Sequence, residues 1–412
     1  MSEQAKVPKV ASLPEGWKMT TVGESCAIRN KLRFPLSAAD RAAMGGEYPY
    51  FGPTGRLDSI DHYRINEPFA LIGEDGDHFL KFRDRPMTIY FHGKANVNNH
   101  AHIIGDSNDC MAKWFYYCFM HRDLTPMLSR QGVGRYKLTK AGLERLEFPL
   151  PPKREQAAIV QVLSVWDQAI DTTARLLANS QRCTRDLMKT LLSARRRFPG
   201  VVDKWRHVDF DSIFKRVTRK NTTQNTNVLT ISAEHGLISQ RDYFNKSVAS
   251  ANLAGYTLLD RQDFAYNKSY SARYPMGAIK PLLAYESGVV SSLYLCFRLR
   301  DEVDADFDFF RHYFEAGLLN QEIEGIAQEG ARNHGLLNVS VTDFFKLQLH
   351  IPSAPEQRRI AEVINLARAE EVRFEAQLQC LQREKAALMS QLLTGRRRVK
   401  LPETDVATEL QA

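Results

Sequence analysis

The chain has 412 residues, 43% of them hydrophobic and 25% charged, which is enough to bury a core and to form more than one domain, so a disordered or fibrous class is excluded. No run of about 18 apolar residues occurs and the opening MSEQAKVPKV lacks a signal-peptide apolar stretch, so the expectation is a cytoplasmic protein with no membrane partner. Lys and Arg outnumber Asp and Glu by 56 to 48, a charge of +8 compatible with a polyanionic partner, and the scattered Cys26, Cys110, Cys118, Cys183, Cys296 and Cys380 read as reduced packing thiols without a zinc pattern.

In chain order, residues 1–152 read as a mixed α/β domain that opens with Trp17 in LPEGWKM and contains short β-rich runs such as MTIYF at 87–91. Within it, GKANVNNHAHII gathers Lys94, Asn96, Asn98, Asn99 and His100, and the loop RQGVGRYK adds Arg130, Arg135, Tyr136 and Lys137. A long helix is predicted over 153–198. Residues 199–353 form a second mixed α/β domain, opening with Trp205 in DKWRHV. Its candidate polar residues are Arg219 and Lys220, then Asn267, Lys268, Tyr270, Arg273, Tyr274 and Lys280 in FAYNKSYSARYPMGAIK, and Arg332, Asn333 and His334. A second long helix covers 354–398, followed by a tail, 399–412, expected to be flexible.

The two helices are copies. Residues 151–197 match residues 352–398 without a gap at a constant offset of 201, pairing Pro151 with Pro352, Glu155-Gln156 with Glu356-Gln357, Ile159 with Ile360 and Leu187-Met188 with Leu388-Met389. Both copies end L-L-x-x-R-R-R. An offset of half the chain marks one duplicated unit, a globular domain followed by a helix, rather than a short-period solenoid. In the second copy Ile364, Ala367, Phe374, Leu378, Leu381, Leu388 and Leu392 recur at steps of 3 and 4, with Glu371 and Lys385 breaking the seam. The first copy repeats that face from Leu163 to Leu191 with some polar entries. A helix of about 40 residues is roughly 60 Å long and cannot hide its apolar face in a small domain, so the two copies are expected to pack on each other, antiparallel. The domain interiors, in contrast, diverge almost completely.

The chemistry that is missing narrows the function. No N-P-P-Y or D-P-P-Y loop, no G-x-x-x-x-G-K-[ST] phosphate loop, no G-x-S-x-G and no H-E-x-x-H occurs. The sequence reads as a non-catalytic reader of DNA. Asn and Arg side chains make paired hydrogen bonds to adenine and guanine edges, while Lys and backbone amides hold phosphates, and the clusters named above supply these types. Polar turns built for conformation would use Asn and Gly too. The runs Arg195-Arg196-Arg197 and Arg396-Arg397-Arg398 suit a helix C-terminus or an acidic partner surface as well as phosphates.

The junction LTKAGLERLEFPLPPKREQAAIV at 138–160, its counterpart LHIPSAPEQRRI at 349–360, LPEGW and FAYNKSY resemble the specificity subunits of Type I restriction-modification systems, over nearly the whole chain. The resemblance implies two target-recognition domains separated by two long conserved helices in a pseudo-two-fold repeat, reading an asymmetric bipartite target in double-stranded DNA. It implies two modification (methyltransferase) subunits and restriction (translocase and nuclease) subunits as partners. S-adenosylmethionine, ATP and Mg would sit on those partners and no cofactor on this chain. Gln156, Ile159, Trp166, Ile170, Gln357, Ile360, Phe374 and Leu378 are the expected docking positions on the helices. Two alternatives stay open: the recognition half of a fused restriction enzyme or methyltransferase with an unrecognised catalytic centre, and a coiled-coil scaffold.

Overall fold

The computed structural model describes residues 13–130, 136–232, 236–244, 252–269, 271, 273–327 and 337–400. The fold is mixed α/β. Its organising helices are α1 (Ala112–Phe119), α2 (Lys153–Leu191), α3 (Phe307–Glu315) and α4 (Ala354–Leu392). The chain divides into two compact units, one ending at Thr173 and resuming from Gln377, the other Ala174–Ala376.

In the first unit a six-stranded sheet runs in the order 27–28, 101–105, 65–73, 88–97, 45–51, 56–60, antiparallel except where 45–51 meets 88–97. Helix α1 lays Trp114, Phe115 and Phe119 on Ala70, Ile72 and Ile104 of that sheet. The same core takes Ile159, Val160 and Leu163 from the start of α2 and Leu388, Met389 and Leu392 from the end of α4. In the second unit a four-stranded antiparallel sheet runs 214–216, 295–299, 264–267, 278–281. Phe210, Phe214, Phe264, Phe297, Phe310 and Phe314 fill its core, together with Met188, Leu191 and Leu192 from the end of α2 and Ile360, Ala361 and Ile364 from the start of α4. Each long helix therefore gives its first turns to one core and its last turns to the other.

The helix pairing is antiparallel within each unit. In the first, Glu155 early on α2 meets Arg398 after α4, and Asp167 further along α2 meets Lys385. In the second, Arg368 on α4 reaches Met188 Sδ at 3.5 Å, and Glu356, at the start of α4, meets Arg197 beyond α2. The seam positions face inward on both helices, and so do the residues that break the pattern. Lys385 is half-buried because it pairs with Asp167 and lies over the Tyr117 ring; Glu371 is buried with Arg368 Nη1 at 3.1 Å.

Proline ahead of each helix and a left-handed residue behind it set the ends. Ala194 and Gly395, one repeat apart, both have positive φ (59° and 73°), and Arg196 N and Arg397 N close the turns onto Thr190 O and Gln391 O. Each globular part is closed by a strand pair, Lys18–Thr21 with Glu147–Leu150 and Arg206–Asp209 with Gln348–Ile351. The closing strands keep the 201-residue offset of the helices, whereas the opening strands are 188 apart, so the divergent interiors differ in length.

Candidate nucleic-acid interface

The E-Q junctions are the best-built polar sites. The Glu155 carboxylate, 1% exposed, accepts from Arg398 Nε at 3.0 Å, Arg398 Nη2 at 2.7 Å and Trp17 Nε1 at 3.1 Å. Its copy Glu356 accepts from Arg197 Nε at 3.0 Å and Nη2 at 2.7 Å. Gln156 Nε2 donates to Pro151 O (2.8 Å) and Asp109 O (2.7 Å), and its Oε1 accepts from Met111 N (2.9 Å). Gln357 repeats this with Pro352 O and Asp306 N, both at 3.0 Å. Each Gln thus ties the carbonyl just ahead of its own helix to the backbone N–H that precedes a second helix, Met111 before α1 and Asp306 before α3. This corrects the docking expectation for Gln156, Ile159, Gln357 and Ile360: all four are buried inside the chain's own cores and present nothing to a partner. Trp166, Ile170, Phe374 and Leu378 are half-buried along the seam. The apolar side chains that the helices do present are Val162, Val165, Leu176, Leu366 and Val372, and Val165 and Leu366 are repeat equivalents, 60% and 65% exposed.

In the first unit, the predicted cluster at 94–100 splits. Asn96 is buried, donating through Nδ2 to His62 O at 2.6 Å, and Asn98 holds its own turn by accepting from His100 N at 2.9 Å. Neither amide is free for a base edge, because residues 95–98 are all buried. Lys94, Asn99 and His100 are exposed. Lys94 Nζ lies 4.7 Å from the Tyr63 ring centre and 5.6 Å from that of Tyr48, while Arg64 stacks on Phe34 at 3.8 Å. This cation and aromatic group spans residues 34 to 94, which is why local spacing missed Tyr48, Tyr63 and Arg64. His100 pairs with Asp75 (3.0 Å) and Lys137 with Glu74 (3.2 Å). His102 beneath is buried, its Nε2–H donating to Leu138 O (2.8 Å) while Nδ1 accepts from Arg33 and Asn30, and burial pushes its pKa down, keeping it neutral. Tyr136 is half-buried; the Arg130 side chain and Arg135 lie outside the described residues.

In the second unit, Lys280 proves to be interior. It donates to the Tyr274 hydroxyl at 2.8 Å and pairs with Glu315, which Tyr274 also reaches at 3.1 Å. A surface-reader role for Lys280 is therefore corrected to one of holding Tyr274. Arg273 is exposed, 3.7 Å from Glu315. Asn267 Oδ1 accepts from Ser269 N and Lys268 Nζ donates to Val339 O, and both bonds hold turns in place. Gly277, at φ 78°, lets the chain pass Asn267 O, which a Cβ would meet at 2.4 Å. Arg219 pairs with Asp260 and Lys220 donates to Gly255 O at 3.0 Å. Tyr270, Arg332, Asn333 and His334 lie outside the described residues. Among the described residues, no group of three or more His, Cys, Asp or Glu could hold a metal ion.

Residues 14–179 match the family model described as the Type I restriction modification DNA specificity domain. The chain resembles the specificity subunits of Type I restriction-modification systems. The putative type I restriction enzyme specificity subunit S.HindORF215P of Haemophilus influenzae is 31% identical over 147 residues, 36% of each chain. The MjaVIII specificity subunit of Methanocaldococcus jannaschii is 23% identical over 186 residues, 44% of this chain and 43% of that one. These matches span less than half the length of either curated relative. A crystal structure of the S subunit from M. genitalium superposes with a TM-score of 0.59 at 14% identity, covering 95% of this chain and 99% of that one, so the likeness in fold takes in both halves of the chain.

Proposed function

We propose that the chain is the non-catalytic DNA-specificity subunit of a Type I restriction-modification complex, reading a bipartite, asymmetric target. The observation that carries this reading is a pair of equivalent junctions, each with an Arg-clamped Glu and a backbone-capping Gln, framing two interiors that share little sequence. Identical frames around different contents suit two different half-sites. In the first unit the Lys94, Tyr48, Tyr63 and Arg64 group offers stacking and phosphate contacts; in the second Arg273 and Tyr274 lie between the paired strands 264–267 and 278–281. Double-stranded DNA is the partner of both.

Val165 and Leu366 supply matched apolar docking points for two methyltransferase subunits, with restriction subunits joining through the assembled complex. S-adenosylmethionine, ATP and Mg belong to those partners. Among the described residues no helix is long and apolar enough to cross a membrane.

Methylome sequencing of host DNA with and without this gene tests the reading. Loss of one split, asymmetric methylation motif is the expected result. An unchanged methylome in an active system overturns it in favour of a coiled-coil scaffold.

A further inference from the structure

A cleft of about 590 Å³ opens on the second unit, lined by Arg185 and Lys189 one turn apart on α2, Arg195 just past its end, Arg368 on α4, and Arg273. One carboxylate, Glu315, faces these five cations, and it is already held by Lys280 and the Tyr274 hydroxyl. Arg368 is tied to Glu371. Arg185, Lys189 and Arg195 have no ion pair or side-chain hydrogen bond among the described residues. The lining is otherwise mostly apolar, with Met188, Ile279 and Phe314, and its remaining polar side chains are the uncharged Ser193, Asn320 and Tyr274.

Gathering like charges in this way opposes folding, so the scaffold would shed them if nothing used them. The repeat shows that the scaffold does without three of them. One repeat after Arg185 and Lys189 stand Ala386 and Ser390, and one repeat before Arg368 stands Asp167, which in the first unit accepts from Tyr117 at 2.6 Å and pairs with Lys385. Arg185, Lys189 and Arg368 are therefore peculiar to the second unit, while Arg195 has its repeat copy in Arg396. Their rim is continuous with Arg273 and Tyr274, the residues assigned to that unit's reading surface.

We propose that this cleft grips the phosphate backbone of DNA, without regard to sequence, beside the half-site read by the second unit. The inference rests on the DNA-recognition reading above and deepens it: the helices hold DNA directly as well as carrying the readers, and they do so on one side of the target only. Each phosphate neutralised releases counterions, so the grip is written into the salt dependence of binding.

The test compares the full-length chain with the triple variant Arg185→Gln, Lys189→Gln, Arg195→Gln on unrelated duplexes between roughly 50 and 200 mM salt. All three side chains are exposed, and the variant is expected to keep the wild-type circular dichroism and urea midpoint. The slope of log affinity against log salt should become shallower by about 0.9 for each phosphate no longer neutralised, roughly 2 to 3 in total, equally on every duplex. Arg185→Lys with Arg195→Lys should retain the slope, and Arg182→Gln with Arg196→Gln, outside the cleft, should barely move it. An unchanged slope in the triple variant, with wild-type binding intact, overturns the cleft alone. Absence of salt-dependent DNA binding by the wild-type chain overturns the recognition reading and the cleft with it. Inorganic tripolyphosphate that binds the wild type but not the triple variant, with the DNA slope unchanged, overturns the proposal in favour of a small free phosphate ligand.

Discussion

Glu155 and Glu356 occupy one position in the repeat, yet their surroundings differ. Glu155 is bonded by Arg398 and by the Trp17 indole; Glu356 is bonded by the equivalent Arg197, while the Trp205 indole N–H is buried without a partner among the described residues. The Arg follows its helix by a fixed count, so duplication preserves it. The Trp stands on the far side of an interior whose length has changed, and its bond has not been kept. A clamp encoded within one rigid helix survives divergence better than one closed across a variable domain.

The comparison can be broken most forcefully at the arginines. Arg197→Ala leaves the buried Glu356 carboxylate unpaired, whereas Arg398→Ala leaves Glu155 with the Trp17 donor, so the first substitution should lower stability clearly more than the second. Urea midpoints, with hydrogen exchange assigning each effect to its unit, will read the difference, and equal costs would remove the role given to Trp17.

Acid should also separate the units. Burial depresses the His312 pKa to about 4, with Asn365 Oδ1 accepting from Nε2 at 2.7 Å. The unfolded chain binds that proton near pH 6.5 and the folded one does not, so this stability is complete above about 6.5 and falls as pH drops toward 4, by roughly 3 kcal/mol at most. His312→Asn should flatten the second unit's pH profile in hydrogen exchange.

The indoles give a smaller contrast. Trp17→Phe loses a bond to a carboxylate and should cost about 1–2 kcal/mol, while Trp205→Phe deletes an orphaned donor and should be nearly neutral by thermal melting. The smallest effect lies just past the end of α2. Ala194→Gly relieves a left-handed alanine and should stabilise by about 0.5–1 kcal/mol after the added freedom of the unfolded chain, measurable as a raised midpoint. Gly395→Ala should do the reverse and more, since its Cβ would meet Pro14 Cγ at 2.5 Å.

The long helices were legible because a 3-4 spacing repeated at a fixed offset leaves few other conformations, and even Lys385 and Glu371 fit once Asp167 and Arg368 are seen beside them. The candidate site was legible only in part. Lys280 and Asn96 carry the residue types of a reader, but strand register, which sequence does not specify in these divergent interiors, turns both inward. The Lys94 group and the basic cleft depend on residues tens to hundreds of positions apart, brought together only by tertiary packing. Gln156 was visible as part of a motif, yet its acceptors, Pro151 O and Asp109 O, are backbone atoms that leave no mark in a sequence.

The return of Arg398 to Glu155 has a consequence for synthesis. The second unit is one continuous stretch, whereas the first waits for its last helical turns, Leu388 to Leu392, until the whole of the second has been made. At ribosomal speeds of roughly 5–20 residues per second, some 200 intervening residues leave the earlier-made half open for about 10–40 s. The half that emerges first is thus the half that finishes last, and a nascent chain truncated before the closing helix would expose the apolar face of α2 to chaperones and proteases.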